Sequence, residues 1–251
     1  MANDSSSPEN RESFDGFIFG TFADDAVAMN KSHQWLVKDI LQLKEIKVIR
    51  IFFAIAPGLT TDEIMSKYKP DLNSPEVCKR IELHIANSYA KYLKPIGGLN
   101  RFLEKVYAIP LPPKHLGQSG QERCAIVTNA TGPRARAWLK VVGIDNAPKC
   151  VSAPHIQGLV HGYREGRDLI GRGHMKILAI EDNARGIAAA RAAGCWVLGI
   201  QTSTNKAEIL SAGPDWVVKD LERLADSVIP IGDEDGPGIK FGIWLKTDPI
   251  N

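Results

Sequence analysis

Residues 180–200 read IEDNARGIAAARAAGCWVLGI, and the fold turns on how they are read. The apolar run ILAI at 177–180 ends in the acidic pair Glu181 and Asp182, and a second apolar run, CWVLGI, occupies 195–200. Short apolar runs bounded by turn residues predict buried strands. Between them GIAAARAAG predicts a helix that Gly194 ends. Ala188, Ala189, Ala190, Ala192 and Ala193 give that helix little bulk, so its backbone can lie close against a sheet. Upstream the alternation repeats: CAIVTN (124–129) predicts a strand, ARAWLKVVG (135–143) a helix and KCVSA (149–153) a strand. Strands alternating with helices predict an α/β fold with a doubly wound parallel sheet.

FDGFIF at 14–19, followed by Gly20 and Thr21, predicts one more buried strand that ends in a turn. The pattern then becomes helical from about Asp24 to Lys105, with apolar residues three and four apart and breaks at Pro57-Gly58, Pro70 and Gly97-Gly98. This stretch is too long for an ordinary crossover. The division it implies is a disordered tail over 1–13, a core formed by 14–25 and 106–251, and an inserted helical cap domain over 26–105. Residues 109–121 and the acidic DEDGPG at 233–238 read as loops, and KFGIWLK after the latter closes a terminal hairpin.

The 251 residues are 44% hydrophobic and 24% charged, which is ordinary globular usage and excludes whole-chain disorder. The net charge of +2 supplies no field for nucleic acid or anionic lipid, so neither is an expected partner. The most apolar stretch, Ile51 to Ala56, falls far short of the roughly 20 residues that span a bilayer, and the polar N-terminal residues lack the pattern of a secretory signal. Cys78, Cys124, Cys150 and Cys195 show no metal-ligand spacing and read as buried structural thiols. The expected setting is the cytoplasm.

The run from Ile180 to Ile200 resembles the fourth motif of the haloacid dehalogenase (HAD) superfamily. Four further stretches match in order: FIF followed by Gly-Thr, the helical block, the strand ending Val127-Thr128-Asn129, and QGLVHGY with GRDLIG. Together they are similar to the glycerol-phosphate and 2-deoxyglucose-phosphate phosphatases, over roughly residues 14–225. The resemblance implies a HAD-like core with a cap. It also implies an Asp nucleophile with a second Asp two residues on, and a magnesium ion held partly by the fourth-motif acids.

Two motifs depart from that pattern. The family's first strand runs into Asp-Xaa-Asp-Gly-Thr, whereas here Phe19 leads straight to Gly20 and Thr21. Where the family has the Lys of Gly-Lys-Pro, this chain has Leu159 in Gly158-Leu159-Val160. The nucleophile, its acid and the phosphate-binding cation are all missing, which predicts absent or very weak phosphatase activity and weakened magnesium binding.

The remaining candidates are Asp182, Glu181 and His161 for acid/base catalysis, Asp182 for a metal, and Gly20, Thr21, Thr128 and Asn129 for substrate. Each also has a plain reading. Asp182 could cap the following helix, Glu181 could be a structural partner of that cap, and His161 and His155 could be surface residues. Asp24 and Asp25 read as loop or first-helix residues rather than substitute nucleophiles, and Arg134 and Arg136 as solvated helix charge. The functional expectation is a protein of the HAD-like hydrolase family acting on a small organic metabolite between core and cap by acid/base chemistry. The alternatives are a non-catalytic pseudophosphatase that binds a protein partner, and a sugar- or polyol-phosphate phosphatase whose first motif is misread.

Overall fold

A computed structural model describes residues 12–56, 59–109, 120–153, 158–171, 175–202, 206–232 and 239–243. The strands are β1 (Glu12–Phe14), β2 (Gly16–Phe19), β3 (Ala23–Asp24), β4 (Lys94–Pro95), β5 (Cys124–Thr131), β6 (Lys149–Ala153), β7 (Ile177–Glu181), β8 (Trp196–Ile200), β9 (Trp216–Val218), β10 (Ile229–Gly232) and β11 (Ile239–Ile243). The helices are α1 (Ala26–Trp35), α2 (Ile46–Ile55), α3 (Thr61–Tyr68), α4 (Pro75–Tyr89), α5 (Leu99–Tyr107), α6 (Gly132–Val141), α7 (Leu159–Ile170), α8 (Ala184–Ala192), α9 (Lys206–Ser211) and α10 (Glu222–Ser227).

Six strands form one sheet in the order β6-β5-β2-β7-β8-β9, and every neighbouring pair is parallel. Strand side chains alternate between faces, and both faces of this sheet are covered. Phe17, Phe19, Ile126, Leu178, Ile180 and Leu198 share one core with α1–α6 and α10. Ile18, Ala125, Val127, Ala179 and Val197 share the other with α7, α8 and α9. Burial on both sides explains the near-continuous apolar runs of the strands.

Strand β2 is central, and its last residue fixes the layout of the site. Phe19 pairs with Ile126 of β5 on one side and Ile180 of β7 on the other. Thr128 and Asp182 therefore both lie two residues beyond the same row, flanking the Gly20-Thr21 turn. The C-terminal edge of an open parallel sheet is where such folds bind ligands.

The helical segment leaves the sheet through β3 and returns through β4, and these two short strands pair antiparallel, Ala23 with Pro95 and Asp24 with Lys94. Helix α5 packs directly on the sheet, with the Phe102 ring edge-on to Phe17 and Phe19 at 5.1 and 6.1 Å. Strand β1 pairs with β11, and β11 with β10, in a separate antiparallel sheet. The expected hairpin is thus present, but Glu12 and Ser13, placed by sequence in the tail, are strand residues because β11 supplies them with backbone partners. The loops expected at 109–121 and 233–238 lie largely or wholly outside the described residues. All four cysteines are free, and Cys150, on edge strand β6, is exposed rather than buried. Among the described residues, no helix is long and apolar enough to cross a membrane.

Candidate functional site

The turn after β2 is tight. The Gly20 and Thr21 N–H groups both donate to the Ile180 carbonyl, at 2.9 and 3.3 Å. A side chain on Gly20 would collide with the Tyr163 hydroxyl and the Glu181 carboxyl, so only glycine fits there. Thr21 is buried, and its hydroxyl lies between the Ala23 carbonyl and Asp182.

Glu181 is 2% exposed. Its Oε1 accepts from the Tyr163 hydroxyl, and its Oε2 accepts from the Asp182 N–H at 3.1 Å and from Asn183 Nδ2 at 2.9 Å. Burial, reinforced by the nearby Asp182 charge, pushes its pKa up to about 8. Both oxygens are thus engaged by the protein, one of them by the cap residue Asn183. Tyr163 is fully buried, so Tyr163→Phe is expected to cost about 1–3 kcal/mol by leaving Oε1 without a donor. The check is a lowered denaturant midpoint at unchanged slope.

Asp182 does not cap α8. That role belongs to Asn183, whose Oδ1 accepts from the Gly186 N–H at 2.8 Å. Asp182 instead accepts from the Thr202 hydroxyl at 2.8 Å, and burial raises its pKa against the opposing pull of its hydrogen bonds. Thr202, just past β8, went unrecognised in the sequence because nothing local marks it.

Asp24 and Asp25 divide the work that sequence assigned to both. Asp24 Oδ1 accepts from the Ala26 N–H at 3.3 Å and opens α1. Asp25 stands at the N-cap position of that helix, yet its side chain makes no cap bond. It lies close enough to Asp182 for the two like charges to oppose each other. Burial, with that repulsion added, pushes Asp25 to about 7, while Arg134 pulls the other way.

Arg134 is not solvated helix charge: it is 7% exposed, with Nε 3.1 Å from Glu82 and its guanidinium 5.2 Å from the Trp138 ring. His33, also unmarked in the sequence, is buried edge-on to Phe52. Its pKa falls to about 4 through burial and then the Arg134 charge, so it is neutral at physiological pH.

On the other side of β2, the half-buried Thr128 accepts from the Ala130 N–H at 3.1 Å, and Asn129 beside it is also half-buried. His161 is exposed on the first turn of α7, and among the described residues no hydrogen bond or ion pair joins it to Asp182. His155 lies outside the described residues. A cavity of about 250 Å³ lined by Arg164, Arg167, Asp168, Gly171, Met175 and Ile177 sits at the opposite, N-terminal end of β7.

Magnesium requires near-octahedral oxygen coordination. With Glu181 fully engaged and one Asp182 oxygen taken by Thr202, the acids fall short of that. Among the described residues, no three His, Cys, Asp or Glu side chains gather into a group able to hold a metal. The fourth-motif acids alone thus offer magnesium the one Asp182 oxygen that Thr202 does not hold.

No protein-family model matches the chain. It is 26% identical over 180 residues to glycerol-1-phosphate phosphohydrolase 1 of Saccharomyces cerevisiae, covering 68% of each chain. With 2-deoxyglucose-6-phosphate phosphatase 1 of the same yeast it shares 27% over 190 residues, covering 69% of this chain and 75% of that one. By sequence the chain is similar to phosphatases of the HAD superfamily. As a HAD-like protein it shares its architecture with a hydrolase from Pseudomonas syringae, at 17% identity and a TM-score of 0.60 over 82% of this chain and 94% of that one. A HAD hydrolase of family IA, variant 3, from Entamoeba histolytica gives 16% and 0.60 over 82% and 93%. These likenesses show the HAD-like α/β core.

Proposed function

We propose that this HAD-like protein binds a small organic metabolite at the C-terminal edge of the sheet, with the helical segment 26–105 as its cap, and acts on it by proton transfer through Asp25 and Asp182. One observation carries the reading: Asp25 leaves the helix cap to its neighbour and lies near enough to Asp182 for their charges to oppose each other. A carboxyl that titrates near 7 suits general acid/base work at neutral pH. Thr128 and Asn129 lie on the opposite flank of the turn, placed to contact the ligand. His161 stays outside the proton-transfer pair.

Phosphoryl transfer to an aspartate is unsupported by the same geometry. The turn after Phe19 holds no carboxylate, and Leu159, half-buried against the second core, brings no charge. Four free cysteines are in keeping with a reducing, cytoplasmic setting.

The test uses the two phosphate esters that the yeast relatives are named for. With magnesium added, the chain is expected to release no phosphate from glycerol 1-phosphate or 2-deoxyglucose 6-phosphate above background. A panel of small unphosphorylated polyols and hydroxy acids is expected to contain members that raise its melting temperature, an effect that Asp25→Asn diminishes. Phosphate release by the unaltered chain would overturn the proposed chemistry, and a flat panel would overturn the choice of ligand class.

A further inference from the structure

A single buried carboxylate fastens the helical segment to the edge of the sheet. Glu82, on α4, is 2% exposed. Its Oε2 accepts from the Thr131 N–H at 3.2 Å and the Thr131 hydroxyl at 3.1 Å, and lies 3.1 Å from Arg134 Nε. Its Oε1 accepts from the hydroxyl of Thr61, the first residue of α3. A buried carboxylate persists only when its oxygens are satisfied and its charge is compensated, and these donors do both. Thr61 belongs to the helical segment, whereas Thr131 and Arg134 belong to the core.

What Glu82 grips is the turn that joins β5 to α6. Thr131 is the N-cap residue of α6, but its side chain makes no cap bond within that helix. The ladder between β5 and β6 shifts register between Thr128 and Thr131, where pairing resumes with Ala153, so the two residues between are out of the ladder. Within the turn, the Ala130 N–H bonds to the Thr128 hydroxyl. Glu82 supplies one acceptor for both the N–H and the hydroxyl of Thr131.

We propose that Glu82 is a positioning residue: through Thr131 and Arg134 it sets the Thr128–Thr131 turn, so that packing of the helical segment on the sheet edge fixes the ligand-facing side of β5. The ligand-facing part rests on the proposed function, while the control of the turn stands apart from it. The side chain also holds Arg134 in the seam, at 3.1 Å from its Nε.

Amide hydrogen exchange on the full chain, read by NMR, tests this with three variants. Glu82→Ala is expected to speed exchange of the Thr131 N–H by about tenfold or more, as a local opening no longer opposed by that bond. Ile85→Ala, a control that removes a buried side chain from the same helix, is expected to loosen α4 while leaving Thr131 within about threefold of wild type. Glu82→Gln keeps a carbonyl that can accept from Thr131 and is expected to restore most of the protection there. With the carboxylate 3.1 Å from Arg134 Nε replaced by an amide, the Arg134 Nε–H resonance should move from its wild-type position.

Equal protection of Thr131 in wild type and Glu82→Ala, or equal loss in Glu82→Ala and Ile85→Ala, overturns the proposal. If Glu82→Ala does not fold, an unmoved Arg134 Nε–H resonance in Glu82→Gln overturns it instead. None of these readouts needs a ligand, so failure of the proposed function leaves a distinct signature: a normal exchange pattern across the variants with a flat ligand panel.

Discussion

Between pH 4.5 and about 8 the wild-type chain is expected to lose stability as pH rises, and Glu181→Gln to lose much less. Glu181 has an ordinary value of 4.5 and is pushed to about 8, by burial first and by the Asp182 charge second. A carboxyl with a raised native pKa holds its proton in the folded state after the unfolded chain has released it. The native state then binds more protons, so unfolding free energy falls with pH across that window. The stabilisation is fully present below 4.5 and is lost as pH passes through 8.

The expected loss is on the order of a few kcal/mol. Glutamine cannot ionise and removes this contribution, although its amide meets the N–H donors of Asp182 and Asn183 at a constant cost. Asp25, pushed from 3.8 to about 7, adds a slope of the same sign, so some pH dependence remains in the variant. Urea midpoints at half-unit steps from pH 4.5 to 8.5 measure both curves. Parallel curves would show that Glu181 is ionised in the folded chain throughout.

Phe102→Ala is expected to cost about 3–5 kcal/mol, the usual range for emptying a buried aromatic site. Phe102 is 0% exposed and meets Phe17 and Phe19 edge-on, which adds ring–ring attraction to the burial. Those two residues belong to the central strand, flanked by β5 and β7, where collapse into the void is hindered on both sides. In a chain of this size the melting temperature should fall by about 10 °C. Ile46→Ala is the control: Ile46 is 68% exposed, and its loss should change stability by less than about 0.5 kcal/mol. A fall of under about 1 kcal/mol for Phe102→Ala would mean that α5 does not pack on the sheet as described.

Much of the fold was legible because strand burial on two faces leaves an unbroken apolar run, as in ILAI and CAIV, and because Ala-rich GIAAARAAG has no other use than close docking. The site was legible only where it is local. Asn183, with Gly186 three residues on, is a capping pattern that competes with Asp182, and the structure resolves the competition through the Asn183–Gly186 bond. The grip of Tyr163 on Glu181, of Thr202 on Asp182 and of Glu82 on Thr131 spans 18, 20 and 49 residues of chain. No spacing in the sequence encodes such meetings. Arg134 illustrates the same limit: its position near the start of α6 suggested solvent, but the α4 side chain that buries it is 52 residues away. Asp25 looked like a helix cap by its place in the chain, and it is released from that duty by the neighbouring Asp24.

The pairing of Ala23 with Pro95 and of Asp24 with Lys94 has a mechanical meaning. Two chain crossings tied side by side behave like the pin of a door, allowing rotation about one axis and resisting translation or twist. Any swing of the helices would turn about that ladder, with Asp25 one residue from the axis. Asp25, beside the ladder, would move little in such a swing, whereas the seam at Glu82, which ties α4 to Thr131 and Arg134, would have to part.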